Sequence, residues 1–296
     1  MSQGKIIVRL LGGMGNQLYE YATAKAMAVA LNKKLVIDPR PILKEAPQRH
    51  YDLGLFNIQD EDFGSPFVQW LVRWVASVRL GKFFKTIMPF AWSYQMIRDK
   101  EEGFDESLLQ QKSRNIVIEG YWQSFKYFES IRPTLLKELS FKDKPNAINQ
   151  KYLDEIESVN AVAVHIRRGD YVANPVANAV HGLCDMDYYK KAIAIIKDKV
   201  ENPYFFIFTD DPDWAEDNFK ISEHQKIIKH NIGKQDHEDF RLLTNCKYFI
   251  IANSSFSWWG AWLSDYKNKI VISPNKWFNV DAVPITERIP ESWIRV

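Results

Sequence analysis

Four short segments carry side chains whose types and spacing suit chemistry on a charged ligand. The first is Gly12-Gly13-Met14-Gly15-Asn16-Gln17. Glycines at a strand-to-helix turn let backbone approach a ligand and turn helix N–H groups toward an anion. It is neither a dinucleotide fingerprint, since Leu18 stands at the third glycine position counted from Gly13, nor a GxxxxGK phosphate loop. The structural alternative is a tight turn with Asn16 as helix N-cap.

The second segment is His165-Ile166-Arg167-Arg168-Gly169-Asp170. Strand alternation puts His165 and Arg167 on one face and Arg168 on the other. Neighbouring guanidiniums suit a diphosphate, because each can pair bidentately with phosphate oxygens. The structural alternative pairs Arg168 with Asp170 and leaves Arg167 in water. Charges at the edge of a buried sheet are costly, which favours a functional role.

The third segment is Thr209-Asp210-Asp211-Pro212-Asp213. Adjacent acids could accept from the N1–H and amine of guanine, or bind a divalent metal. Asp211-Pro212-Asp213 also makes a good helix start, with Asp211 as N-cap and Pro212 at the first helical position. Asp210 is therefore the preferred ligand residue and Asp211 partly structural. The fourth is Asn253-Ser254-Ser255-Phe256-Ser257, where small hydroxyl residues open a helix and can cap it or bind phosphate. Trp258, Trp259 and Trp262 follow at core-packing spacing.

Positioning these segments requires strands that end just before them. Apolar runs at 6–11, 35–37, 116–119, 161–166, 204–208, 227–229, 248–252 and 270–273 read as strands. Helices are expected at 16–31, 124–139, 187–200, 213–219, 237–245 and 255–264. This alternation predicts an α/β protein of two doubly wound, Rossmann-like halves with mainly parallel sheets. Lys142-Asp143-Lys144-Pro145-Asn146 is the linker candidate, giving domains 1–150 and 151–296. Ligands of such sheets lie beyond the carboxyl ends of the strands, so the four segments describe a pocket for a purine nucleotide diphosphate.

The 296 residues, 46% hydrophobic and 26% charged, suit an ordinary globular chain, and a net charge of +2 does not call for nucleic acid. The two cysteines, Cys184 and Cys246, form no CxxC pattern and point to a reducing compartment. With no leader and no membrane-length apolar run in the sequence, a cytoplasmic location is expected. Residues 63–98 are basic and aromatic, and read as core with a solvated face, as an acceptor platform, or as a surface resting on an anionic membrane.

In their order and spacing, these motifs resemble those of the α-1,2-fucosyltransferases of glycosyltransferase family 11. The resemblance runs from residue 8 to about 276, weaker in the middle. It implies a GT-B-like fold, GDP-L-fucose as donor, a galactose-terminated glycan as acceptor, inversion at the anomeric carbon, and no metal or cofactor. Carried over from the wider group of fucosyltransferases, Arg167 holds the β-phosphate. Ser254, Ser255 and Phe256 hold the diphosphate end of GDP, and Asp210 or Asp211 holds the base. The glycine turn of Gly13 and Gly15 brings Asn16 toward donor and acceptor. The α-1,6 enzymes carry a glutamate as proposed base where this chain has Asn174 and Pro175. Asp170, Glu238 and Asp239 are the acids near enough to consider instead. Three other readings are weighed beside this one: a metal-dependent transferase using Asp211 and Asp213, a non-catalytic glycan-binding protein, and a nicotinamide dehydrogenase, which the missing third glycine disfavours.

Overall fold

The computed structural model describes residues 3–45, 49–59, 62–66, 69–70, 94–100, 103–169, 172, 174, 178–180, 182–231, 233, 235–279 and 284–296. The chain divides into two compact units, Met1–Lys142 and Asp143–Val296. The division falls ahead of a helix that covers residue 150.

In the first unit, β1 (Lys5–Arg9), β2 (Lys34–Asp38), β3 (Tyr94–Arg98) and β4 (Asn115–Glu119) form a parallel sheet in the order β2-β1-β4-β3. Helix α1 (Met14–Ala30) is rich in Ala, Met and Tyr and buried over most of its surface. Gly13 is its N-cap, so Asn16 stands inside the first turn rather than capping it. A short helix α2 (Arg40–Glu45) follows β2.

The expected helix over 124–139 is instead two 3₁₀ turns, Phe125–Tyr127 and Glu129–Ile131, and then α3 (Arg132–Glu138). Pro133 has no N–H to donate inside a continuous helix and sits at the start of α3. Phe125 and Phe128, three residues apart and both buried, fit the three-residue repeat of the tighter turn. Strand β3 lies in the basic aromatic stretch, where no strand was expected; residues 67–68 and 71–93 of that stretch fall outside the described residues.

The last residues of the four strands stand in register as Asp38, Arg9, Glu119 and Arg98. Their charges alternate across the carboxyl edge. Arg9 lies 3.5 Å from Asp38 and also pairs with Glu119, and Arg98 lies 2.9 Å from Glu119.

The second unit opens with α4 (Ala147–Ser158) and holds β5 (Asn160–Ile166), α5 (Met186–Lys199), β6 (Pro203–Thr209), α6 (Pro212–Asn218), β7 (Gln225–Ile228), α7 (Asp236–Thr244), β8 (Tyr248–Ile250), α8 (Ser255–Leu263), β9 (Val271–Ser273) and β10 (Ile294–Arg295). Its parallel sheet runs β10-β9-β8-β5-β6-β7. Chain order reverses between β5 and β8, which makes their carboxyl ends the switch point where a doubly wound sheet binds its ligand.

Both faces of this sheet are covered, as its Val-, Ile- and Phe-rich strands require. Val162, Val164 and Ile166 pack with Tyr189, Ala192 and Ile196 of α5. On the opposite side of β5, His165 faces α8 through Phe256. Trp258 and Trp259 are fully buried and Trp262 nearly so, so the tryptophans are core, as their spacing suggested.

The Tyr188 hydroxyl ties two strand ends together, lying 2.6 Å from the carbonyl oxygen of Ile251 and 3.2 Å from that of Ile272. Tyr188→Phe removes this donor and leaves buried acceptors behind. The expected loss is about 1–3 kcal/mol in urea unfolding followed by tryptophan fluorescence. An unchanged midpoint would show that the hydroxyl does not hold β8 to β9.

Candidate functional site

Within the second unit, strands β5, β6 and β8 deliver three of the four segments to one sheet edge. Beyond β5 the chain presents Arg167 and Arg168, and beyond β6 it presents Asp210 and Asp211. Arg167 Nη1 lies 2.9 Å from Asp210 Oδ2, with both side chains about a quarter exposed. The Arg168 backbone N–H donates to Asp210 Oδ1 at 2.8 Å. One carboxylate therefore holds the Arg167 guanidinium and the backbone of the next residue together.

Arg168 is turned the other way. Its Nε lies 3.3 Å from Asp211 Oδ2, and its guanidinium carbon lies 3.8 Å from the centre of the Trp214 ring. A guanidinium stacked on an indole and paired with a carboxylate is a fixed structural piece. Arg168 thus pairs with Asp211, and the alternative partner Asp170 lies outside the described residues. Asp211 also caps α6, accepting from the Trp214 N–H at 3.3 Å, with Pro212 next in line.

Asp210 and Asp211, the residues expected to hold the base, do not stand as open acids in this structure. Each is already matched to an arginine. Gly169 fits closely beside them: a Cβ there would sit 2.9 Å from Asp210 Oδ2 and 3.1 Å from its carboxyl carbon, so a larger residue would push the Asp210 side chain aside. Among the described residues no three His, Cys, Asp or Glu side chains gather into a metal-binding group. Asp213 lies in the first turn of α6.

His165 is buried, and burial pushes its imidazole down to about 4; Arg167 adds to the shift and Asp210 opposes it. It is therefore neutral near pH 7. Its Nδ1 is buried without a hydrogen-bond partner among the described residues, while its carbonyl oxygen accepts from the Tyr189 hydroxyl at 3.0 Å. The ring stacks on Phe256 at 5.5 Å between centroids, and Phe256 meets Phe240 of α7 edge-on at 5.2 Å. This aromatic series runs from the arginine loop to the first turn of α8 and the second turn of α7.

Ser254 holds the N-cap position of α8, yet its side chain makes no cap hydrogen bond, and Ser255 and Phe256 form the first turn. The helix start thus lacks a side-chain cap, the state in which an anion can satisfy its N–H groups. Asn253, missed as a separate site residue, fixes this loop from below. Its buried amide donates to the Trp277 carbonyl at 3.1 Å and the Gly182 carbonyl at 3.4 Å.

The acids considered as bases separate clearly. Glu238 is buried and pairs with Arg241 at 2.9 Å. Asp239 is partly buried at the start of α7, and its Oδ1 accepts from Asn231 Nδ2 at 2.8 Å. Burial lifts its carboxyl to about 7; Asn231 opposes that shift, and Asp236 and Glu238 add to it. Asn174 is a described residue, whereas Pro175 lies outside the described set.

The glycine turn belongs to the first unit. Gly12 has φ +68°, and a Cβ there would meet Asn16 Nδ2 at 2.6 Å. Asn16 Oδ1 accepts from Gln123 Nε2 at 3.0 Å. Gly13 adjoins Arg49, an exposed cation that sequence reading missed; a Cβ on Gly13 would lie 2.8 Å from its Nη1. Gly15 is buried in the first turn of α1, and the Leu11 N–H donates to Glu20, which pins the turn.

Comparison with known proteins agrees with this geometry. The sequence profile of "Glycosyl transferase family 11" matches residues 82–290. The chain is similar to the alpha-1,2-colitosyltransferase of Escherichia coli, with 33% identity covering 98% of each chain. It is also similar to galactoside alpha-(1,2)-fucosyltransferase 2 of Rattus norvegicus, with 26% identity over 88% of this chain and 68% of the other. Among solved structures, fucosyltransferase NodZ from Bradyrhizobium shares the fold, with a TM-score of 0.50, 15% identity, and 88% and 93% of the two chains covered. Two parallel-sheet units with a cationic, aromatic switch point and a profile match over most of the chain thus lead to one conclusion: the chain belongs to glycosyl transferase family 11 and is a glycosyltransferase of GT-B-like fold.

Proposed function

We propose that this enzyme moves L-fucose from GDP-L-fucose to the 2-hydroxyl of a galactose in an oligosaccharide or polysaccharide precursor, forming an α-1,2 linkage without a metal. The observation that carries the reading is the Arg167–Asp210 pair at the switch point, joined through His165 and Phe256 to the start of α8. The names of the related enzymes, a colitosyltransferase and a galactoside fucosyltransferase, support an α-1,2 transfer to a glycan. Colitose is the competing sugar, because the colitosyltransferase matches at higher identity over nearly the whole chain.

The proposed step is a direct displacement. The bond between the fucose anomeric carbon and the β-phosphate oxygen breaks as the galactose oxygen attacks from the opposite face. Its electron pair leaves with GDP, and negative charge grows on the β-phosphate. Arg167 and the uncapped N–H groups at Ser255 and Phe256 stabilise that charge. The hydroxyl proton departs to solvent or to a nearby carboxylate, with Asp170 retained as the candidate. Asp210 keeps the Arg167 fork aimed, and Arg168 holds the loop. Since Asp210 and Asp211 are matched to arginines, the proposed acceptor of the guanine N–H groups is Asp239, whose neighbour Phe240 touches Phe256. In the first unit, Asn16, Gln123 and Arg49 form the proposed acceptor surface. The two free cysteines favour a cytoplasmic setting, and among the described residues no helix is long and apolar enough to cross a membrane.

The donor assignment is tested by nucleotide release from a panel of sugar nucleotides, fucose and colitose among them, with lactose as acceptor and with or without EDTA. Acceptor-dependent, EDTA-resistant release from GDP-fucose is expected. Preference for the colitose donor would change the sugar, and loss of activity in EDTA would return Asp211 and Asp213 to a metal role.

Arg167→Lys keeps the charge but loses the fork, and kcat is expected to fall on the order of a hundredfold. Turnover near that of the wild type would remove Arg167 from the phosphate.

Binding of guanine needs the Asp239 carboxylate, which forms only as pH rises through about 7. GDP affinity measured by calorimetry should therefore weaken about tenfold per pH unit below 7 and level off above it. Asp239→Asn should lose that part of the slope; identical profiles for the two proteins would exclude Asp239 from the base.

A further inference from the structure

If Asp239 reads the base, something must fix which of its oxygens faces the ligand. The structure offers a polar chain whose polarity is set by backbone. Asn146 Oδ1 caps α4, accepting from the N–H groups of Ile148 at 3.1 Å and Asn149 at 2.9 Å. That oxygen can only accept, so the nearby Asn149 amide turns its Nδ2 toward it, at 3.2 Å. The Asn149 Oδ1 then faces the donors of the loop after β7: His230 Nε2 at 2.9 Å and Asn231 Nδ2 at 3.0 Å. Asn149 Nδ2 also donates back to Asn231 Oδ1 at 2.9 Å. This reciprocal pair leaves Asn231 Nδ2 as the group that reaches Asp239 Oδ1, at 2.8 Å.

Asn149 has no solvent exposure, which is unusual for an amide and costly unless every polar atom is matched. Here every one is. His230 is held flat on Tyr152, with ring centroids 4.4 Å apart. Burial lowers its pKa, so it stays neutral and carries its proton on Nε2, the nitrogen facing the Asn149 oxygen. The chain ends at a carboxylate with one oxygen engaged and, among the described residues, no hydrogen-bond partner for the other.

We propose that Asn149 and Asn231 are positioning residues for the nucleotide site: they hold Asp239 by Oδ1 so that Oδ2 is presented to the amine edge of a purine. This rests on the assignment of Asp239 to the base and adds the residues that make the contact selective. A network that merely welds α4 to α7 would give stability without base selectivity, and the two roles separate experimentally.

The probes are GDP, IDP, whose base lacks the exocyclic amine, and inorganic pyrophosphate, each titrated by calorimetry into the full chain. Asn231→Ala and Asn149→Ala are expected to reduce the GDP-to-IDP preference about tenfold, the worth of one charge-assisted hydrogen bond, with pyrophosphate affinity kept. If Asn149→Ala does not fold, the half-buried Asn231 decides alone. Equal losses for GDP and IDP, or an unchanged preference, would overturn the positioning role. Asp239→Asn separates the two levels. Preference retained in that variant overturns the base assignment itself, whereas preference lost there but kept in Asn149→Ala and Asn231→Ala overturns only the positioning role.

Discussion

The second unit is organised around one carboxylate with two obligations. Asp210 accepts from the Arg167 guanidinium with one oxygen and from the Arg168 backbone with the other. Without it, Arg167 would lose the carboxylate 2.9 Å away that offsets its repulsion from the neighbouring arginine. With it, Arg167 keeps its fork at the strand end, and Arg168 is free to lie on Trp214 against Asp211. Both pairs are partly exposed, so solvent screens them and they add little to stability. Their value lies in orientation. Gly169 belongs to the same constraint, since any side chain there would enter the space that Asp210 occupies.

A second constraint is aromatic. His165, Phe256 and Phe240 run from the arginine loop through α8 to α7, so a shift of either helix is felt at the charged pair. Burial keeps the imidazole uncharged, which spares the site a third cation. Below them, Asn253 and Tyr188 bind loop and strand ends through backbone carbonyls. The site is thus supported by groups that never need to change charge in the neutral range.

Much of this was legible in the sequence because it is local. Strands β5 and β6 are seven residues long and mostly apolar, and the segments that follow them hold charged residues that are costly at a buried sheet edge. Pro212 and Asp211 announced α6 for reasons confined to four residues. The pairing of those segments was not legible. Nothing local says that Asp210 meets Arg167, 43 positions away, instead of a ligand, because that follows from β5 and β6 lying side by side. Asn149 and Asn231 are 82 residues apart and become partners only through the packing of a helix start on a loop. The stretch 124–139 misled because its apolar spacing suits an α-helix, while Pro133 and the three-residue aromatic step enforce tighter turns. Strand β3 was hidden in a run whose basic and aromatic composition masked a strand of five residues.

The alternating charges at the carboxyl edge of the first sheet bear on how that sheet assembles. Strands β1 and β4 pair Lys5 with Asn115 and Arg9 with Glu119, segments separated by about a hundred residues of chain. Pairings this distant are slow to find and open to slippage. A slip of one residue would turn every apolar side chain of the strand to the wrong face. A slip of two would keep the faces but part Arg9 from Asp38 and Glu119, and Glu119 from Arg98, while Asp38 kept only its local partner Arg40. The apolar pattern rejects the odd errors and the charge ladder rejects the even ones. The edge that borders the glycine turn also serves as the sheet's proofreading mark.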